Sequence, residues 1–190
     1  MRRGLGLAGS LALVCLVVLP PNEAAAEDFA AGSLIIPMDT DFQDMGMLRA
    51  FGLVYALLAA DVPVHWVIRS DKLNGEVDFM ASAVDLQSGD PIPMHGYRGG
   101  PWVIDAADAA AAMPIVEAWQ LANPMVAVHE ASADFQGEVA RRLVVAPTIA
   151  MIADGNQKIA RKYMQAAAIP DSTGSVAWSD LSPDMLDVPE

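Results

Sequence analysis

Leu34 to Met38 is an unbroken apolar run of strand length, and it delivers Asp39-Thr40-Asp41-Phe42-Gln43-Asp44 into a turn. Behind the turn, Met47, Leu48, Phe51, Val54, Tyr55, Leu57 and Leu58 cover more than one face of a helix. That pattern predicts a mostly buried helix over residues 45–60, with Asp44 as its N-cap. Gly52 inside it costs helix stability and points to close packing against a neighbour. Val62 to Ile68 supplies a second apolar strand. Strand, helix and strand within about 35 residues predict a βαβ unit and a parallel sheet.

The polarity pattern changes after Ile68. Val77–Leu86 and Ile92–Tyr97, separated by Ser88-Gly89-Asp90-Pro91, predict a β-hairpin or decorated crossover. Arg98-Gly99-Gly100-Pro101 then leads into a short strand at Trp102-Val103-Ile104. Asp105 heads an alanine-rich helix that Pro114 is expected to kink or restart, since proline removes a helical hydrogen bond. Ile115, Ala118, Trp119 and Ala122 give that helix an apolar side, with Val116 and Leu121 off its edges. Further strands are predicted at 125–128 and 147–153, and further helices at 134–143 and 157–168. The last has Ile159, Ala160, Tyr163, Met164 and Ala167 on one face and Lys158, Arg161, Lys162 and Gln165 on the other. Together these elements predict a three-layer α/β domain over residues 27–170, with a mainly parallel sheet and a β-hairpin insertion. Residues 171–190 are rich in Pro, Ser and Asp and read as a loose acidic tail.

Residues 1–26 are excluded from that fold. Arg2-Arg3, an apolar run from Leu5 to Leu19 and Ala24-Ala25-Ala26 before Glu27 make a secretory signal, expected to be cleaved after Ala26. The run is short of the roughly 20 residues a membrane span needs, and an uncleaved anchor is the alternative. The single cysteine, Cys15, lies inside this segment. The remainder therefore has no disulfide, no cysteine metal ligand and no thiol nucleophile. These features predict a periplasmic or secreted protein, with no membrane association after cleavage.

The formal charge is −13, from 11 basic and 24 acidic residues. Basic residues cluster only at Arg141-Arg142 and Lys158–Lys162, which argues against nucleic acid as a partner. The same charge gives solubility and, by itself, no cation site.

Chemistry concentrates at strand ends. Asp39-Thr40-Asp41 after an apolar strand resembles the first motif of haloacid-dehalogenase-type phosphohydrolases, and Ile152-Ala153-Asp154-Gly155-Asn156 resembles their late acidic motif. The resemblance implies Asp39 as nucleophile and Mg²⁺ ligand, Asp41 as general acid/base and Asp154 as a second Mg²⁺ ligand. The chain departs from that pattern at Gln43, where a threonine is usual, and at Gln157-Lys158, where a second acid is usual. Loop solvation, Asx turns and helix capping account for the same carboxylates.

The element order over residues 33–170, with Val126–His129 entering a turn, resembles the class I glutamine-amidotransferase-like α/β fold. That family places a nucleophilic cysteine on a glycine-flanked turn after the strand matching Met125–Val128, and this chain has His129-Glu130-Ala131-Ser132. The resemblance implies the fold without amide hydrolysis. His129-Glu130 at a strand end offers metal-ligand chemistry together with His95 or the acidic turn. In His95-Gly96-Tyr97-Arg98-Gly99-Gly100-Pro101, adjacent glycines allow a close backbone approach, and Arg98 is suited to clamp an anion. No G-x-S-x-G turn occurs.

No complete catalytic set emerges. The leading expectation is a non-catalytic module, without a cofactor, that binds a small molecule or a protein. Its binding candidates are Asp39, Asp41, Arg98, His129, Glu130 and Asp154. The alternative is a Mg²⁺-dependent phosphohydrolase with Asp39 and Asp41 catalytic and the metal at Asp39 and Asp154.

Overall fold

The computed structural model describes residues 25–43 and 46–187. Residues 1–24 of the expected secretory signal and the expected cap Asp44 lie outside the described residues; Ala25 and Ala26, the expected end of that signal, pair in the first strand, and Gly46 stands at the N-cap of the helix at Met47–Ala59. Eight strands form one sheet: β1 (Ala25–Phe29), β2 (Leu34–Ile36), β3 (Val64–Val67), β4 (Phe79–Asp85), β5 (Pro91–Tyr97), β6 (Trp102–Ile104), β7 (His129–Ala131) and β8 (Phe135–Leu143). Their order is β1-β8-β3-β6-β2-β7-β4-β5, and every neighbouring pair is antiparallel. The mainly parallel three-layer sheet is thereby overturned: the described residues form a curled antiparallel half-barrel with four helices.

The physical reason lies in the central strands. Leu34 and Ile36 face a core shared with helices α2 (Met47–Ala59) and α3 (Ala106–Ala122), while Ile35 faces the inside of the curl. Trp102 and Ile104 against Val103 repeat the division. Strands buried on both faces read as continuous apolar runs, a pattern typical of parallel sheets. Here the second face is buried because the sheet bends over itself. Phe135 stacks on its cross-strand neighbour Phe29 at 5.1 Å and meets Phe79 across the hollow at 4.9 Å. The predicted strand–helix–strand unit exists in direction only: β2 and β3 run the same way, but β6 is inserted between them.

A bulge interrupts the β4–β5 hairpin. β4 pairs with β7 only through Ala83–Asp85, and the extra residue lies in β5, where Pro93 and Met94 stand opposite Ser82 of β4. A bulge bends the strand that carries it. Past this bulge the first half of β4, paired with the C-terminal end of β5, lies against β8.

Several local expectations change with the fold. The hairpin is present as β4 and β5, but in place of the helix expected over 134–143, Phe135–Leu143 form β8. Phe135, Gly137 and Val139 alternate inward, and Gly137 leaves room for Val67, whose Cγ1 is 2.6 Å from where a Cβ would stand. The strand predicted at 125–128 begins only at His129. Helix α3 continues through Pro114 and buries Ala112 and Val116, while Leu121 is exposed. Gly52 in α2 does mark close packing, since a Cβ there would meet the Ala167 carbonyl and the Trp119 ring.

Beyond the large sheet, β9 (Met151–Ala153) and β10 (Met185–Asp187) form a separate parallel pair. Helix α4 (Gln157–Ala167) packs on α2 through Ala167, leaving Ile159 and Tyr163 exposed. Between α4 and β10, Trp178 is buried and donates to the Ile169 carbonyl at 2.8 Å. Among the described residues no helix is long and apolar enough to cross a membrane.

Candidate functional site

Where β2 ends, Pro37 and Met38 remain buried and the chain turns at Asp39 into a single helical turn, α1 (Thr40–Gln43). Asp39 is 5% exposed. Its Oδ1 accepts the Asp41 backbone N–H at 3.0 Å, which fixes the carboxylate as the turn's own cap. Gln43, fully buried, spends its amide on Ala127: Nε2 donates to the carbonyl at 2.8 Å and Oε1 accepts the N–H at 3.3 Å. That pair ties α1 to the segment leading into β7, so Gln43 has a structural task.

The curl of β4 and β5 brings two more side chains to this turn. His95 Nε2 lies 3.6 Å from Asp39 Oδ2, and neither atom has a hydrogen-bond partner. Arg98 Nη2 donates to Asp41 Oδ2 at 3.1 Å. Gly99 follows with φ at +81°, and a Cβ there would stand 2.5 Å from the Met38 carbonyl oxygen. Only glycine permits that approach, so the Gly-Gly pair seats the loop directly on the end of β2. Among the described residues, Asp39, Asp41 and His95 bring one ligand atom each within 4.8 Å of one another.

A cleft of about 360 Å³ opens above the turn, lined by Asp39, Asp41, Lys72, Glu76, Arg98 and Gly99, among others. Its walls share one anchor. The buried Asp78 carboxylate accepts the Arg69 N–H and the Gly100 N–H, each at 3.0 Å, and pairs with Lys72 Nζ.

A second polar group lies deeper, behind Phe42. The Phe42 ring packs edge-on against His95 at 4.8 Å and His129 at 4.4 Å. His129 is fully buried, its Nδ1 in a 2.8 Å hydrogen bond with the Tyr97 hydroxyl and its Nε2 3.7 Å from Asp85 Oδ2. Burial pushes the His129 pKa down to about 4; Asp85 opposes that shift and His95 adds to it. Burial also pushes the Tyr97 hydroxyl up, reinforced by the charges of Asp39 and Asp85. Tyr97 is therefore the donor and the neutral His129 ring the acceptor.

The structure thus brings Asp39, Asp41 and Arg98 together. His129 is one ring removed from them and does not line the cleft. Glu130 is exposed and, by strand alternation, points to the other face of β7. Asp154 lies in the turn after β9, where Oδ1 accepts the Asn156 N–H at 2.9 Å, and it does not join the converging ligand set. Sequence reasoning left out His95 as the partner of Asp39, and also Tyr97, Asp85 and the Lys72–Asp78 pair. The one available signal was His95 standing three residues ahead of Arg98 in the glycine-rich loop.

Compared with known proteins, the chain matches no family model, no curated protein and no solved structure.

Proposed function

We propose that this is an exported, non-catalytic binding domain that holds a small polar molecule in the cleft at the end of β2. The observation that carries the reading is Asp39 Oδ2: a carboxylate oxygen, buried at the base of a cleft and lacking a hydrogen-bond partner. A buried acceptor left unpaired costs about 1–3 kcal/mol, and a donor arriving through the cleft would recover it. Arg98 supplies the complementary feature. Its guanidinium is half-exposed at the rim, so it can accept an anionic group while keeping Asp41.

The test is a thermal-shift screen of the purified protein with small carboxylates, phosphates, amines and sugars, repeated with Arg98→Ala. A hit that raises Tm in the parent and not in the variant supports the reading. A parallel assay with a generic phosphomonoester and Mg²⁺ addresses the phosphohydrolase alternative. Turnover that disappears in Asp39→Asn would overturn the non-catalytic assignment.

A further inference from the structure

We infer that Asp39, Asp41 and His95 form a binding site for a divalent transition-metal ion of the zinc class, with an open coordination position facing the cleft. The inference rests on the binding reading above and makes it specific: the donor that completes Asp39 is a metal ion, and the cleft ligand binds through an acceptor atom shared between that ion and Arg98.

The first argument is the relation between Asp39 Oδ2 and His95 Nε2. A charge-assisted hydrogen bond between such groups closes to about 2.7–2.9 Å. These two atoms are buried, face each other and stand 3.6 Å apart, both without a partner. That separation is too long for a hydrogen bond and close to that of two ligands of one ion. Atoms roughly 2.0–2.1 Å from a zinc ion at a tetrahedral angle lie about 3.4 Å from each other.

The third ligand comes from Asp41, whose carboxylate falls within the same 4.8 Å group. Arg98 bonds to one oxygen of Asp41 and leaves the other for the metal. The site is also held in shape. Asp39 is pinned through Oδ1, and the His95 ring is packed edge-on against Phe42 at 4.8 Å and Tyr97 at 5.0 Å. A metal site needs its ligands oriented in this way before the ion arrives.

The donor set selects the ion. Mg²⁺ and Ca²⁺ take oxygen ligands, and a site that commits an imidazole nitrogen with two carboxylates favours zinc and its neighbours. Three protein ligands leave one tetrahedral position open, and Asp39 and Asp41 both line the cleft. The remaining position therefore opens toward the small molecule. Electrostatics point the same way: two carboxylates beside one guanidinium leave a net negative site for a divalent ion.

The experiment is isothermal titration of chelator-stripped protein with ZnCl₂ and, separately, MgCl₂, for the parent, His95→Gln and Asp41→Asn. Asp41 is exposed, so its variant keeps the fold even if the His95 variant does not; circular dichroism checks both. One zinc per chain is expected, with binding weakened on the order of 100-fold in either variant and Mg²⁺ far weaker than zinc. Co²⁺ in place of zinc should show the visible absorption of a tetrahedral ion, lost in His95→Gln. No zinc binding, or binding unchanged in both variants, would overturn the site and show only diffuse attraction to an acidic surface. Small-molecule thermal shifts that persist without zinc binding would sink the metal and leave the binding reading standing. Zinc binding with no small-molecule hit would do the reverse.

Discussion

Acidification probes the buried half of this network, and His129 gives it a magnitude. The unfolded chain takes up a proton at this imidazole near pH 6.5, whereas the folded chain does so only at about 4, because the ring is buried. Protonation would also remove the lone pair that accepts the Tyr97 hydroxyl at 2.8 Å. Stability associated with the neutral ring is therefore complete above about pH 6.5 and declines as pH falls toward 4. At about 1.36 kcal/mol per pKa unit the full window is worth about 3 kcal/mol, of which about 2 kcal/mol is already lost by about pH 5. The assay is urea denaturation of the parent and His129→Gln near pH 7.5 and near pH 5. Glutamine keeps an acceptor for Tyr97 but does not titrate, and every other ionisable group is common to both proteins. The parent should lose about 2 kcal/mol more than the variant across that interval. Equal losses, or a parent that gains stability on acidification, would refute a buried neutral His129.

Further outcomes follow for four positions, three at the site and one outside it. Gly99→Ala should cost about 2–3 kcal/mol in denaturant titration, from a positive φ and a clash with the Met38 carbonyl. Gly155→Ala, with positive φ but open space around it, should cost only about 1–2 kcal/mol. Asp78→Ala should lower stability by about 3 kcal/mol, because it leaves Lys72 and two backbone N–H groups without their buried acceptor; Asp78→Asn should cost less in the same titration. Arg98→Ala should change stability by no more than about 0.5 kcal/mol, since its ion pair with Asp41 is half-exposed, while abolishing the ligand-induced thermal shift.

The positions of the central strands were legible because each is an unbroken apolar run. Their pairing was not. Double-sided burial has two causes, helices on both faces of a parallel sheet or helices on one face and a curl on the other, and the residues of β2, β3 and β6 suit both. β8 was hidden differently: Gly137 interrupts an alternation that Phe135 and Val139 begin and end, and Gln136, Glu138 and Ala140 fit an exposed helix equally well. At the site, Asp39 and Asp41 stood out as carboxylates at a strand end, which is a local signal. His95 reaches them where β5 bulges, with Pro93 and Met94 opposite the single residue Ser82, and that mismatch exists only once the two strands are paired. Asp154 shows the converse, since an aspartate that forms its own turn has the same local sequence as one that holds an ion.

Asp78 has a kinetic consequence. One carboxylate fastens both rims of the cleft, the Arg69–Lys72 segment and the Arg98–Gly100 loop, so neither can swing outward without exposing a buried negative charge. Entry to the cleft is then an encounter with a finished shape, and association should follow a single phase whose rate rises linearly with ligand concentration. Loosening the fastening in Asp78→Asn should add a slow, concentration-independent step, the mark of walls that must first find each other.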